Sequence, residues 1–259
     1  MKKKLHHFTV LLLALNLTCL SFGQDQTEEP ITTFTQKPGL GFEYFSRTIN
    51  WDEDEYNSKM KACIFSFNLG FEIQEGFYLA AILGYSFSNL DGLIFRQLPF
   101  SVELQVGKIG GFLLGGEIKK TLITLKDFEI GLIGQFVYFL GKTDTWSIEK
   151  LNVEASVDGK PTWMRVLAGP VLIYKGYDYF YPYIFANFNK LWGTFKMDEK
   201  VQQLSGSEDK KISGKGLYGI STGAIYEVTN SFSIKGEASF IPIQNGVDLG
   251  FVIKAVYSF

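Results

Sequence analysis

The chain has 259 residues with a formal net charge of −2, 46% apolar and 16% aromatic residues, and only two cysteines and two histidines. That balance excludes a basic nucleic-acid-binding surface, and two cysteines build no disulfide framework. The length fits one domain or one barrel.

The first residues read as an export signal: "MKKK" is a positive n-region, "FTVLLLALNL" an apolar h-region, and Ser21 and Gly23 sit at signal-peptidase spacing. Cleavage after Gly23 is expected. A lipoprotein anchor on Cys19 is the alternative, disfavoured by Asn16 and Thr18 around it. Removing 23 residues leaves 236, in which 22 basic face 27 acidic residues, a net charge near −5. His6, His7 and Cys19 leave with the signal, so Cys63 is the lone thiol of the mature chain. Beyond it, no apolar run approaches the ~20 residues of a spanning helix. So much apolar and aromatic surface then leaves two readings: a soluble all-β domain of the lipocalin kind, or a transmembrane barrel with apolar residues at every second position.

Residues 24–36, "QDQTEEPITTFTQ", are polar and aperiodic and read as a flexible lead to a barrel over 37–259. From Lys37 onward a period of two dominates. Phe65, Phe67, Leu69 and Phe71 alternate with smaller or polar residues, as do Phe77 to Phe87, Phe128 to Leu140, Tyr218 to Val228 and Phe232 to Phe240. Successive strand side chains face opposite sides, so each segment has one apolar face and one small or polar face.

Connections sharpen the reading. Four are very short, within "IQEGF", "LKDF", "KGYDY" and "VTNSF", and the aromatics that follow them, Phe77, Phe128, Tyr179 and Phe232, recur every 51 to 53 residues. Others are long and polar, around 143–160 and 195–212. Long loops alternating with tight turns are the pattern of outer-membrane barrels. The expected strands lie at 37–50, 59–73, 76–89, 108–124, 127–141, 161–174, 178–193, 214–228, 231–242 and 246–259. This makes an all-β, transmembrane, antiparallel up-and-down barrel of about ten strands, with eight and twelve as alternatives. Even parity puts both termini on the periplasmic side. The segment 91–107 is too apolar for a loop and too short for two more spanning strands, so it either prolongs strands or folds into the mouth. Aromatics near the short turns, such as Tyr174, Tyr226, Tyr257 and Phe259, fit an interfacial girdle.

On these patterns the chain resembles the small OmpA/OmpW-like outer-membrane barrels of Gram-negative bacteria over its whole mature length. The resemblance implies an outer-membrane location, lipid as surroundings, and Tyr257 and Phe259 as the C-terminal signal read by the barrel assembly machinery. The family pattern often has a Gly where this chain has Lys254.

Two enzyme-like strings are rejected. "GKGLYG" at 214–219 runs into a strand, whereas a dinucleotide site needs those glycines to open a helix. "GISTG" at 219–223 puts Ser221 in mid-strand, and the mature chain left after cleavage has no histidine to activate it. No cofactor or metal is expected, the acidic run Asp52, Glu53, Asp54 and Glu55 reading as a solvated loop. Cys63 shares the parity of Phe65 and is expected against lipid.

By the same parity the charges that interrupt the strands face the lumen: Glu43, Arg47, Glu72, Glu117, Lys119, Glu129, Arg165, Lys235, Glu237 and Lys254. A charge facing lipid at midplane costs ~2–4 kcal/mol, so inward placement is favoured. Mixed signs predict a paired network filling a narrow lumen, with Lys254 opposed by Glu237 or Glu43. The functional expectation is a non-enzymatic barrel with a structural or surface-interaction role carried by its long loops, for an extracellular ligand the sequence does not identify. A narrow pore for small solutes or ions is the alternative, and an outer-membrane enzyme comes third.

Overall fold

The structure is a computed structural model that describes residues 35–51, 57–95, 102–147, 155–201 and 204–259. The expected leader, most of the polar lead and the acidic run at 52–55 lie outside these residues. Among the described residues twelve strands occur in chain order: β1 (Thr35–Trp51), β2 (Asn57–Gln74), β3 (Phe77–Phe95), β4 (Val102–Thr124), β5 (Phe128–Gly141), β6 (Asp144–Ser147), β7 (Ala155–Tyr174), β8 (Phe180–Val201), β9 (Leu204–Gly214), β10 (Tyr218–Thr229), β11 (Phe232–Ile243) and β12 (Gly246–Tyr257).

Ten of them make the barrel. β1, β2, β3, β4, β5, β7, β8, β10, β11 and β12 pair antiparallel in that order, and β12 closes on β1 from Gly39↔Val256 to Ser46↔Leu249. Ten is therefore the strand number of the closed wall, with β6 and β9 as additions. The period-two pattern explains the faces. Leu40, Phe65, Leu83, Phe112, Ile184 and Ile220 all turn outward and are exposed, while their sequence neighbours turn in. Cys63 is half-buried on the outward parity.

The tight turns match expectation. Gly76 adopts φ 74° in the two-residue turn between β2 and β3, a conformation that favours glycine. At this end Phe128, Tyr174, Tyr177 and Phe180 form a chain of ring contacts with centroids 5.1 to 6.4 Å apart.

The other end differs from expectation. The stretches around 143–160 and 195–212, read as long polar loops, are largely strand in their described residues, 143–147, 155–160, 195–201 and 204–212. β7 and β8 pair up to Ala155↔Val201, and β9 folds back along β8 from Val201↔Leu204. Of the segment 91–107, the described residues 91–95 and 102–107 also prolong a hairpin, with Phe95 opposite Val102. Strands that rise clear of a membrane meet water outside, so they lose the apolar outward face that marks the rest. In β9 the alternation is polar on both sides: Lys211 and Asp209 are exposed, while Lys210 is buried beside Glu208, 2.9 Å away.

β9 also changes the cross-section. β10, β11 and β12 have only 12 residues each, about 40 Å of strand, or ~30 Å once tilted, the thickness of a hydrocarbon core. β7 and β8 have 20 and 22 residues. Above the short strands, β9 bridges from β8 to β1, pairing Ile49↔Gly214 and Trp51↔Ile212. The wall thus narrows from ten strands to eight. Eight-stranded barrels are just wide enough to be filled by side chains. An apolar core fills this upper storey: Ile49, Met60, Phe139, Trp163, Phe195 and Met197 are all fully buried. Trp163 stacks on Phe139 at 5.1 Å, meets Phe45 edge-on at 5.6 Å, and donates its indole N–H to Ser88 Oγ at 3.0 Å.

Candidate functional site

Below this apolar storey the lumen carries charge. Glu43 on β1, Glu117 on β4, Gln135 on β5, Arg165 on β7, Lys235 and Glu237 on β11 and Lys254 on β12 project from six strands into one layer. Arg165 binds Glu43 with two bonds: Nη1 reaches Oε1, and Nη2 lies 2.9 Å from Oε2. Nη2 also donates to Gln135 Oε1 at 3.1 Å. Gln135 Nε2 in turn donates to Glu117 Oε2 at 3.3 Å, and Lys254 Nζ sits 3.0 Å from that same oxygen. A second unit joins Lys235 Nζ to Glu237 Oε2 at 2.8 Å, with Tyr183 Oη donating to that oxygen at 2.6 Å. Three acidic and three basic side chains thus pair off. The cavity they line, shared with Arg47 and Asn189, is about 70 Å³, room for a few waters and no more.

The pairing expected for Lys254 is corrected here. Its partner is Glu117, across the barrel, because Glu237 is taken by Lys235 and Glu43 by Arg165. The expected filling is corrected as well, since the upper lumen is closed by apolar side chains rather than by ions. Glu129 and Lys119 lie nearer the tight turns, 3.0 Å apart, with Lys175 also on Glu129 and Thr121 Oγ1 donating to it at 2.7 Å. Glu72 pairs with Lys37 at the same end. Neither pair joins the central layer.

Arg47 belongs to a different feature, which the sequence reading missed. β1 leaves β12 after Ser46↔Leu249 and joins β9 at Ile49↔Gly214. Asp248 fills the fork: its Oδ2 accepts from the Thr48 backbone N–H at 2.7 Å, and its Oδ1 accepts from Thr48 Oγ1 at 2.8 Å and Lys59 Nζ at 2.7 Å. Arg47 lies 3.8 Å from Asp248 and donates from Nη2 to the carbonyls of Lys215 and Gly216 at 2.9 and 2.8 Å. Gly216 has φ 73° there, and a Cβ on it would come 2.7 Å from the Ile241 side chain. Asp248 has the inward parity of Lys254, so the pattern that found one was sufficient to find the other.

The rejected strings stay unremarkable. Gly214 ends β9 and Gly216 lies in the connection to β10, so no helix follows. Ser221 is fully buried and accepts from Asn187 Nδ2 at 3.3 Å. Phe259 donates its backbone N–H to Gln36 O at 3.1 Å, and its ring packs on Tyr257 at 4.8 Å.

No family model matches the chain, and no curated protein matches it in sequence. Solved structures do. The chain is similar to the outer-membrane protease OmpT of Escherichia coli at 12% identity and a TM-score of 0.54, over 90% of this chain and 99% of that one. The likeness is one of fold: this is a barrel of the outer-membrane type. Matches of lower TM-score include the translocator domain of the autotransporter NalP of Neisseria meningitidis, at 11% identity and 0.47 over 98% of this chain and 97% of that one. The attachment invasion locus protein Ail of Yersinia pestis matches at 14% and 0.34, over 87% of this chain and 98% of that one.

Proposed function

We propose that the protein is a closed, non-enzymatic outer-membrane barrel that presents a rigid extension at the cell surface. The observation that carries this reading is the contrast between the two faces of the wall. Outside, the strands bear an exposed apolar band; inside, the upper storey is packed with Trp163, Phe139 and Phe195 and the layer below is ion-paired. Soluble proteins rarely expose so much contiguous apolar surface, and lipid is the solvent that accepts it. The finer placement among OmpA/OmpW-like barrels, the signal peptide, and the periplasmic position of both termini belong to the same proposal. So do Tyr257 and Phe259 as the contact for the assembly machinery.

With the lumen filled, work falls to the part of β7, β8 and β9 that stands above the membrane-length strands. Its outward charges, among them Lys196, Asp209 and Lys211, suit a recognition surface. The protease match brings no activity to this chain, whose described residues contain no histidine.

The test is fractionation combined with surface labelling. The protein should float with the outer membrane and shift its gel mobility on heating, and a Lys196→Cys variant should label on intact cells. Recovery in the soluble periplasmic fraction, or no label without lysis, overturns the reading. Cells carrying a barrel trimmed of the β8–β9 tip should retain the assembled barrel and lose surface binding that the intact protein confers.

A further inference from the structure

We propose that the lumen cavity beneath the β1 fork binds a small monovalent anion of halide size, held between Arg47 and Arg165. Both guanidinium groups line the cavity of about 70 Å³ and are nearly inaccessible, at 2% and 5% exposure. Among the described residues, Arg47 Nε and Nη1 and Arg165 Nε have no hydrogen-bond partner, Arg47 Nε lying 3.8 Å from Asp248 Oδ2. Buried guanidinium N–H groups left in this state are costly, and the two cations also repel one another.

The carboxylates around the cavity are already engaged. Both Glu43 oxygens bind Arg165, Glu117 Oε2 serves Lys254 and Gln135, and Glu237 Oε2 serves Lys235 and Tyr183. Asp248 is shared among Thr48, Lys59 and Arg47. Among the charged groups that line the cavity, Arg47, Arg165, Lys235 and Lys254 stand against Glu43, Glu117 and Glu237, one positive charge in excess, while Asp248 beside Arg47 is paired with the half-exposed Lys59.

Water is neutral and accepts about two hydrogen bonds, so it leaves that excess charge in place. A single halide accepts from several N–H groups and cancels it. A divalent oxyanion would overshoot the charge and crowd the space. Asn189 at the cavity wall, whose Oδ1 also has no hydrogen-bond partner among the described residues, offers its Nδ2 as a further donor with the amide turned over.

Crystals of the refolded full chain grown in sodium bromide supply the direct test. An anomalous peak between Arg47 and Arg165 is expected; a cavity holding only water density overturns the proposal. In solution, melting of the wild-type protein should shift upward in bromide relative to methanesulfonate at matched ionic strength. Arg47→Lys, which keeps the charge and removes the Nε and Nη1 donors, should weaken bromide binding at least tenfold. Equal melting of wild type in the two salts overturns the proposal even where the variant fails to fold.

Discussion

Arg165 and Glu43, 122 positions apart in the chain, meet across the lumen in a two-bond ion pair that ties β7 to β1. The guanidinium also lies over the Phe45 ring at 5.1 Å, so its flat face is covered. Removing one partner strands the other charge out of water. Arg165→Met should therefore destabilise the barrel by about 3–5 kcal/mol, whereas the Arg165→Met, Glu43→Met pair should be close to neutral. Urea unfolding of the two variants in lipid vesicles separates these outcomes.

Asp248 supplies at the fork what a sheet ladder supplies elsewhere. Its carboxylate takes the Thr48 N–H and hydroxyl, and the Thr48 carbonyl in turn accepts from the Lys215 N–H at 2.8 Å. Asp248→Ala leaves a buried backbone donor and Arg47 without their acceptor, and should cost about 3 kcal/mol or more. Amide hydrogen exchange should accelerate at Thr48 and Lys215 before it does at Phe42 or Phe251.

Much of this was legible in the sequence. Alternation located the barrel strands, and short turns set their spacing, because a membrane forces one face of each strand to be apolar. Parity also put Glu43, Glu117, Arg165 and Lys254 on the inner side. Partners were not legible: Lys254 and Glu117 are 137 positions apart, and which residues meet across a barrel depends on its shear, which no local pattern encodes. The β9 return escaped for a different reason. Its stretch "SGSEDKKIS" has water on one face and the Lys210–Glu208 pair with a single buried Ile212 on the other, so its apolar signal is one residue.

Lys254 is a stabilising residue rather than a gate, since the apolar storey above it closes the lumen independently. Lys254→Ala should lower stability by leaving Glu117 without its ion-pair partner, and should leave the barrel as impermeable as before. Trp163→Ala, which empties the centre of the upper storey, should cost about 3–5 kcal/mol and loosen the closure. Liposome-swelling assays on both variants, alongside unfolding, distinguish the roles.

At the chain end, Phe259 bonds Gln36 and packs on Tyr257, contacts too few to hold the barrel by themselves. Deleting Ser258 and Phe259 should leave refolding in detergent nearly unchanged while reducing assembly in cells. Comparing the refolded yield with the heat-modifiable fraction in membranes checks this.

The central claim is that the barrel is closed by its own side chains, an apolar storey over an ion-paired layer. Planar-bilayer recording of the refolded wild-type protein tests it most directly. The structure predicts a silent membrane, with steps appearing only after Trp163→Ala. Steady open-channel conductance from the wild-type protein would contradict it.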